Sequence, residues 1–324
     1  MIDYGEIPGG KNELKELLFP FHTTYPLKLC SKFRWWKNSS LSVMLPKLNK
    51  DRMWLTVIDR LGAPGDALIV ANVIRGIKQQ FPNVRINCIT PNPDLIRLDP
   101  NIESINEKES FYSFDSTYWE LIVRKERKLN VVEYSLARLK IYNCNYKANF
   151  YLATDEILWA KNKMENLGLT KPIIAICSKS KEAVKNWSES FWQELIEKLI
   201  EKFSIVHLGD QTEPTFKFVK RFAGYCSMRE SAALLSKVDF FLGPDSLLMH
   251  VANGLNIPSV IIFGGSRPIS CFGYKENINL GTSPNCSPCW IHQGYEECKE
   301  NLKCLNEISV SKVFSSIHLL MKNQ

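Results

Sequence analysis

The sequence predicts an α/β protein made of two tandem units, each with a parallel sheet, facing one another across a central cleft. Three observations carry this. Strand-like apolar runs alternate with helical segments, the alternation restarts after "LGLTKP", and 324 residues suffice for two domains of ordinary size. Strands alternating with helices in this way imply parallel strands joined by crossover helices. The expected divisions are an extension over 1–50, a first unit over 51–168, a second over 169–308 and a closing helix over 309–324.

Residues 1–50 show no clear period, and "LFPFHTTYP" and "FRWWKNSS" mix aromatic, basic and proline residues. The extension is read as packing over the first unit; a membrane-surface or partner-binding arm is the alternative. From Arg52 the pattern is regular: "MWLTVI" reads as a strand, "DALIVANVIRGIKQQF" as a helix and "VRINCIT" as a strand before the turn "PNPD". "IESIN" and "YWELIVR" read as strands and "VVEYSLARLKIY" as a helix. After a helical stretch from Thr154 to Gly168, the second unit runs "PIIAIC" (strand), "SESFWQELIEKLIEKF" (helix, with Ser188 as N-cap) and "SIVHLGD" (strand). It continues with "SMRESAALLSKV" (helix), "DFFLGPD" (strand), "SLLMHVANGL" (helix) and "PSVIIFGG" (strand), and "SVSKVFSSIHLLMKNQ" closes the chain as a helix.

Composition narrows the function. The chain is 45% hydrophobic and 23% charged, ordinary for a globular protein, and has no apolar run of spanning length. Asp3 and Glu6 open the chain without a basic flank, so no secretory signal is expected and the expected location is cytoplasmic. Forty-one Lys and Arg against 34 Asp and Glu give +7, which suits anionic ligands. The basic residues are spread rather than clustered, which argues against nucleic acid. Six of the ten cysteines (Cys30, Cys88, Cys144, Cys177, Cys226, Cys271) are scattered and read as reduced thiols.

The first strand–helix loop is Gly62-Ala63-Pro64-Gly65-Asp66, not a dinucleotide fingerprint. Pro64 removes a backbone donor, and Asp66 puts negative charge where a helix dipole would attract a phosphate. The loop is a poor phosphate cradle and a good mount for a carboxylate. Asp66 reads as a general base at the cleft mouth or as an ordinary capping aspartate. The second unit offers the better anion site. "FFLGPDSLLMHVA" runs a strand through Asp245 into a helix whose first N–H groups, at Ser246 and Leu247, point outward, and His250 lies one turn along. Ser178 and Lys185 follow another strand, and Lys185 is suited to pair with a diphosphate as a mobile point charge.

Together these residues resemble glycosyltransferase family 9, the bacterial heptosyltransferases of the lipopolysaccharide core, over roughly residues 52–320. "GDALIVANVIRGIKQQFPNVRI" looks like the family's opening Gly-Asp loop, helix and second strand. "KNWSESFW" is similar to its Lys-x-Trp-x-x-x-x-Trp segment at Lys185, Trp187 and Trp192. "GPDSLLMHVANGLNIPSVIIFGGSRP" resembles its Asp-Ser/Thr-x-x-x-His helix, next strand and Phe-Gly loop. The resemblance implies a GT-B fold of two Rossmann-like domains, with acceptor on the first and nucleotide-sugar on the second. It implies an inverting transfer in which Asp66 deprotonates the acceptor hydroxyl. Ser178, Lys185, the helix start at Asp245, Ser246 and Leu247, and nearby His250 would hold the departing nucleoside diphosphate. No Asp-x-Asp motif is present to hold a divalent ion, so no cofactor is expected for catalysis. Departures from the family pattern are Leu247 for glycine, Ser188 and Gly265 for prolines, and Cys177 and Lys179 before the lysine. An acidic residue contacting the donor ribose is implied within "GDQTE", at Asp210 or Glu213.

Cys286, Cys289, Cys298 and Cys304 form C-x2-C-x8-C-x5-C, four soft ligands of the number a closed zinc or iron site needs. Family 9 includes transferases for autotransporter proteins that carry a similar iron-binding finger. A structural metal is the expectation here, bracing a hinge or an oligomer contact and taking no part in the chemistry. The expected function is metal-independent transfer of a heptose or related sugar, from ADP-heptose, to an anionic lipid-linked core saccharide at the inner face of the inner membrane. Protein O-heptosylation, sugar-nucleotide epimerisation and an inactive binding module are the alternatives.

Overall fold

The computed structural model describes residues 31–123, 128–142, 146–291 and 298–322. "LFPFHTTYP", Cys30 and Cys144 lie outside them. Helix α1 (Ser31–Lys50) occupies part of the extension that showed no period. Its only clear apolar spacing is Leu41, Leu45 and Leu48, all buried in the core of the first unit. Basic residues and Pro46 dilute that stripe, which is why the helix escaped a reading by periodicity.

The first sheet orders its strands β3-β2-β1-β4, all parallel: β1 (Trp54–Asp59), β2 (Arg85–Ile89), β3 (Ser104–Ile105) and β4 (Tyr112–Ser116). Helix α2 (Pro64–Gln80) crosses from β1 to β2 and buries Leu68, Val73, Ile74 and Ile77 against the sheet. One reading is corrected here. "YWELIVR" is not a strand; β4 precedes it, and Trp119–Val123 turns into a short helix, α3, opened by Thr117 Oγ1 accepting the Trp119 N–H at 3.2 Å. A short apolar run is compatible with either element, and the alternating "YSFDS" beside it takes the place against β1.

The second sheet has six parallel strands in the order β10-β9-β8-β5-β6-β7. They are β5 (Ile173–Ile176), β6 (Ser204–His207), β7 (Lys220–Arg221), β8 (Phe240–Pro244), β9 (Ser259–Ile262) and β10 (Ile278–Leu280). Helix α4 (Glu189–Leu199) buries Trp192, Leu195, Ile196 and Leu199 on one face, and helix α5 (Val310–Lys322) packs beside it. Each sheet reverses its winding once, between β1 and β4 and between β5 and β8. Chain leaving the strands at such a reversal diverges to opposite faces and opens a crevice at their carboxyl ends. Asp66 follows β1 and Tyr118 follows β4; Ser178 and Lys185 follow β5 and Asp245 follows β8.

A charged clamp ties the halves together away from those crevices. Helix α6 (Thr154–Glu165) carries Glu156, which receives Arg229 from helix α7 (Met228–Leu235) through two guanidinium nitrogens at 2.5 and 2.6 Å. Arg229 also donates to the carbonyls of Asp94 in the first half and Tyr151 in the linker, both at 2.8 Å. Arg97 reaches Glu156 from the first half at 2.8 Å. The hydrogen bond from Arg229 is the main cause that holds Glu156 down at about 2, with Arg97 adding to it. A carboxyl depressed in the fold stabilises it above its unfolded pKa, and that contribution disappears as pH falls from about 4.5 through about 2. Arg229→Met should cost about 2 kcal/mol at pH 7 by urea unfolding. The difference from wild type should shrink as the pH is taken below 3.

Candidate active site between the two halves

The two crevices approach each other closely at Gly65. A Cβ on Gly65 would lie 3.1 Å from Cδ2 and 3.2 Å from Nε2 of His250, with the Leu247 backbone 4.0 Å away. Helix α2 of the first half therefore begins against helix α8 (Leu247–Gly254) of the second. His250 cannot yield easily: it is buried and its Nδ1 pairs with Tyr274 Oη at 2.7 Å. Burial, with the Lys185 charge adding, pushes its pKa down to about 4 against the pull of Asp245, so the ring is neutral at pH 7.

Asp66 sits in the first turn of α2, 8% exposed. Its Oδ2 accepts the Ala63 N–H at 3.1 Å and its Oδ1 accepts the Tyr118 hydroxyl at 2.6 Å. Asp59, at the end of β1, is buried beside it and is held by Gly62 N–H at 2.9 Å and Thr90 Oγ1 at 2.8 Å. Gly62 adopts φ +74°, a left-handed turn that directs its N–H to Asp59. Burial and then repulsion from Asp59 raise Asp66 to about 7, against the lowering effects of Tyr118, Ala63 N–H and the Lys185 charge. A carboxyl poised there can take up and release a proton near neutrality.

Across the cleft, Lys185 is half-buried and its Nζ lies 2.9 Å from Asp245 and 3.2 Å from Glu182. Burial alone would lower its pKa; the two carboxylates more than reverse that, so it remains an ammonium. Arg267, 4% exposed, pairs with Glu182 at 3.4 Å and lies 5.4 Å from the Trp290 ring centroid. Ser246 is the N-cap of α8 and forms no side-chain cap, leaving the first N–H groups of α8 to other partners. Ser178 is turned inward instead. Its N–H and hydroxyl both donate to Glu213, which also accepts the Lys179 N–H at 3.0 Å and pairs with His207 Nε2 at 2.9 Å. Burial would raise the Glu213 carboxyl, but His207 and Ser178 hold it below its usual range. Glu213 is thus built into the loop after β5, whereas Asp210 is exposed and bonds Thr212.

The cysteine segment folds onto the loop after β9. Ser287 Oγ and the Cys289 N–H donate to the Gly265 carbonyl at 3.0 and 3.3 Å, and the Trp290 N–H donates to Ser266 at 2.9 Å. A Cβ on Gly265 would meet Cys304 at 2.8 Å and Ser287 at 2.9 Å, which accounts for glycine where proline was expected. No metal site is shown at the cysteine cluster: among the described residues no three His, Cys, Asp or Glu converge as one. Cys286 is exposed, while Cys289, Cys298 and Cys304 lie within electrostatic range of one another. Burial pushes the Cys289 and Cys304 thiols up.

The family model for glycosyltransferase family 9 (heptosyltransferase) matches residues 113–300. The chain belongs to glycosyltransferase family 9. Lipopolysaccharide heptosyltransferase 1 of Pseudomonas aeruginosa is 27% identical over 120 residues, and the matched stretch spans 32% of this chain and 32% of that protein. A glycosyltransferase of family 9 from Veillonella parvula superposes with TM-score 0.66 at 12% identity, covering 84% of this chain and 97% of that one. The iron-containing dodecameric glycosyltransferase TibC of enterotoxigenic E. coli gives 0.64 at 18%, covering 84% and 76%. E. coli ADP-heptose lps heptosyltransferase II gives 0.61 at 16%, covering 84% and 99%. The shared fold is GT-B.

Set within this family 9 fold, Asp66, Lys185, Asp245 and His250 come together at the cleft. Tyr118, Glu182, Arg267 and Tyr274 join them without having been singled out. Tyr118 was masked by the misread strand; once β4 ends at Ser116, its place beside the β1–β4 reversal marks it. Gly65→Ala should crowd the His250 ring and deepen its burial. By NMR titration the His250 pKa should then move no higher than about 4.

Proposed function

We propose that the protein is an inverting glycosyltransferase that moves a heptose from ADP-heptose to an anionic lipid-linked saccharide without a divalent ion. The observation that carries this is the facing arrangement of a near-neutral carboxyl, Asp66, and a half-buried ammonium, Lys185, whose charge is felt at Asp66 across the cleft. A TibC structure in complex with ADP-D-beta-D-heptose has the same fold and supports the choice of donor. The +7 charge suits an anionic acceptor, and membrane association would be peripheral. Among the described residues no helix is long and apolar enough to cross a membrane.

In this reading Asp66 takes the proton of the acceptor hydroxyl as its oxygen attacks the anomeric carbon. The bond from that carbon to the diphosphate breaks, and the departing oxygen keeps the electron pair. Lys185 and the free N–H groups at Ser246 and Leu247 meet the developing charge, the contribution a metal provides in other transferases. Asp245 and Glu182 hold Lys185 in place until the diphosphate arrives. Neutral His250 closes the site without adding positive charge. Ser178 and Glu213 shape the loop behind the donor rather than binding it through their side chains.

Donor depletion should be measured for ADP-heptose and UDP-sugars, with and without a lipid A-core acceptor. Loss of ADP-heptose that requires the acceptor and persists in EDTA is the expected result; loss without acceptor would point to epimerisation or hydrolysis instead. Asp66→Asn should lower kcat by about 10²- to 10⁴-fold. Wild-type kcat/KM should fall as the pH drops below about 7, where Asp66 takes up a proton. Since a raised carboxyl pKa means the fold disfavours the ionised group, stability at this site is lost as pH rises from 3.8 through about 7. At pH 8 Asp66→Asn should therefore melt no lower than wild type.

A further inference from the structure

Tyr118 touches Asp66 and is also seated against the second half. Its hydroxyl donates to Asp66 Oδ1 at 2.6 Å, while Ala63 N–H holds Oδ2. Its ring meets Phe272 edge to face at a centroid distance of 5.3 Å. Phe272 in turn meets Trp290 at 6.3 Å, and Trp290 lies beneath Arg267. The ladder Tyr118–Phe272–Trp290 therefore runs from the base to the cysteine segment docked on the donor half.

We propose that Tyr118 is a positioning residue for Asp66: seated on Phe272, it orients the carboxylate toward the cleft and favours its ionised form when the halves are together. This rests on the reading of Asp66 as the base. With both carboxylate oxygens directed by donors, rotation is restricted, and each oxygen retains a lone pair for an acceptor hydroxyl. A hydrogen bond to the ionised form opposes the two influences that protonate Asp66, burial and Asp59. The charged and titratable groups facing the pair are Asp59 on the first half and Lys185, Asp245 and Arg267 on the second, with neutral His250 against the neighbouring Gly65. Tyr118 itself stays protonated, since burial and then Asp66 raise its pKa well above the usual value. It donates the hydrogen bond and does not act as a base.

The test is Tyr118→Phe, which keeps the ring on Phe272 and removes only the hydroxyl. Aspartate 13Cγ NMR titration of the full chain follows Asp66 directly, with Asp66→Asn assigning the resonance. The Asp66 midpoint is expected to move up by about one pH unit. With ADP-heptose and lipid A-core saccharide as probes, the acid limb of kcat/KM should move with it and kcat at pH 7 should fall about fivefold, while KM for the donor holds. A purely structural tyrosine would leave the midpoint and limb in place, and that result overturns the proposal. Transfer retained by Asp66→Asn would overturn the base assignment itself, a separate failure read from a separate variant.

Discussion

The close approach of Gly65 to His250 is the constraint on which the site depends. It brings the start of one helix in the first half within van der Waals distance of a helix in the second. Both helices leave their sheets at a winding reversal, so each presents its N-terminal end to the crevice. Two positive helix ends pointing at each other would repel. Asp66 in the first turn of one answers that field, and the other remains free for an anion. A side chain at residue 65 would press on the His250 ring, which would have to give by a few tenths of an ångström.

Charge inside the cleft is arranged in opposed pairs rather than spread. Burial and Asp59 keep Asp66 near neutrality, while Asp245 and Glu182 keep half-buried Lys185 charged. Glu182 is shared with Arg267, so the ammonium and the guanidinium belong to one connected set. A diphosphate entering there would meet cations already desolvated and already fixed, and little reorganisation would remain to be done during reaction. The same arrangement costs stability, because a carboxyl raised to about 7 is one the fold would rather keep protonated.

The Arg229–Glu156 clamp and the aromatic ladder hold the halves at two places that the chemistry does not use directly. The clamp is polar and joins the linker to both sides; the ladder is apolar and lies beside Asp66. The cysteine segment belongs to the ladder side, since Trp290 packs on Phe272 and its neighbours are hydrogen-bonded to the loop after β9. Its place in the molecule is thereby explained by packing against the second half.

The alternation of apolar runs determined the two parallel sheets, because a crossover helix is the ordinary way to join parallel strands. The residue types in the loops after those strands marked Asp66, Lys185, Asp245 and His250, since a helix start with a carboxylate and one without are chemically different. Only the tertiary structure decided what each meets. That Lys185 is shared by Asp245 and Glu182, and that Ser178 is taken by Glu213, follow from packing between segments distant along the chain. Tyr118 stayed hidden because a short apolar run fits strand and helix equally well, and only strand pairing settles which residues occupy the sheet. The cysteine spacing suggested a metal knuckle; that the segment around Cys289 docks on Gly265 and Ser266 through backbone bonds is something spacing carries no information about.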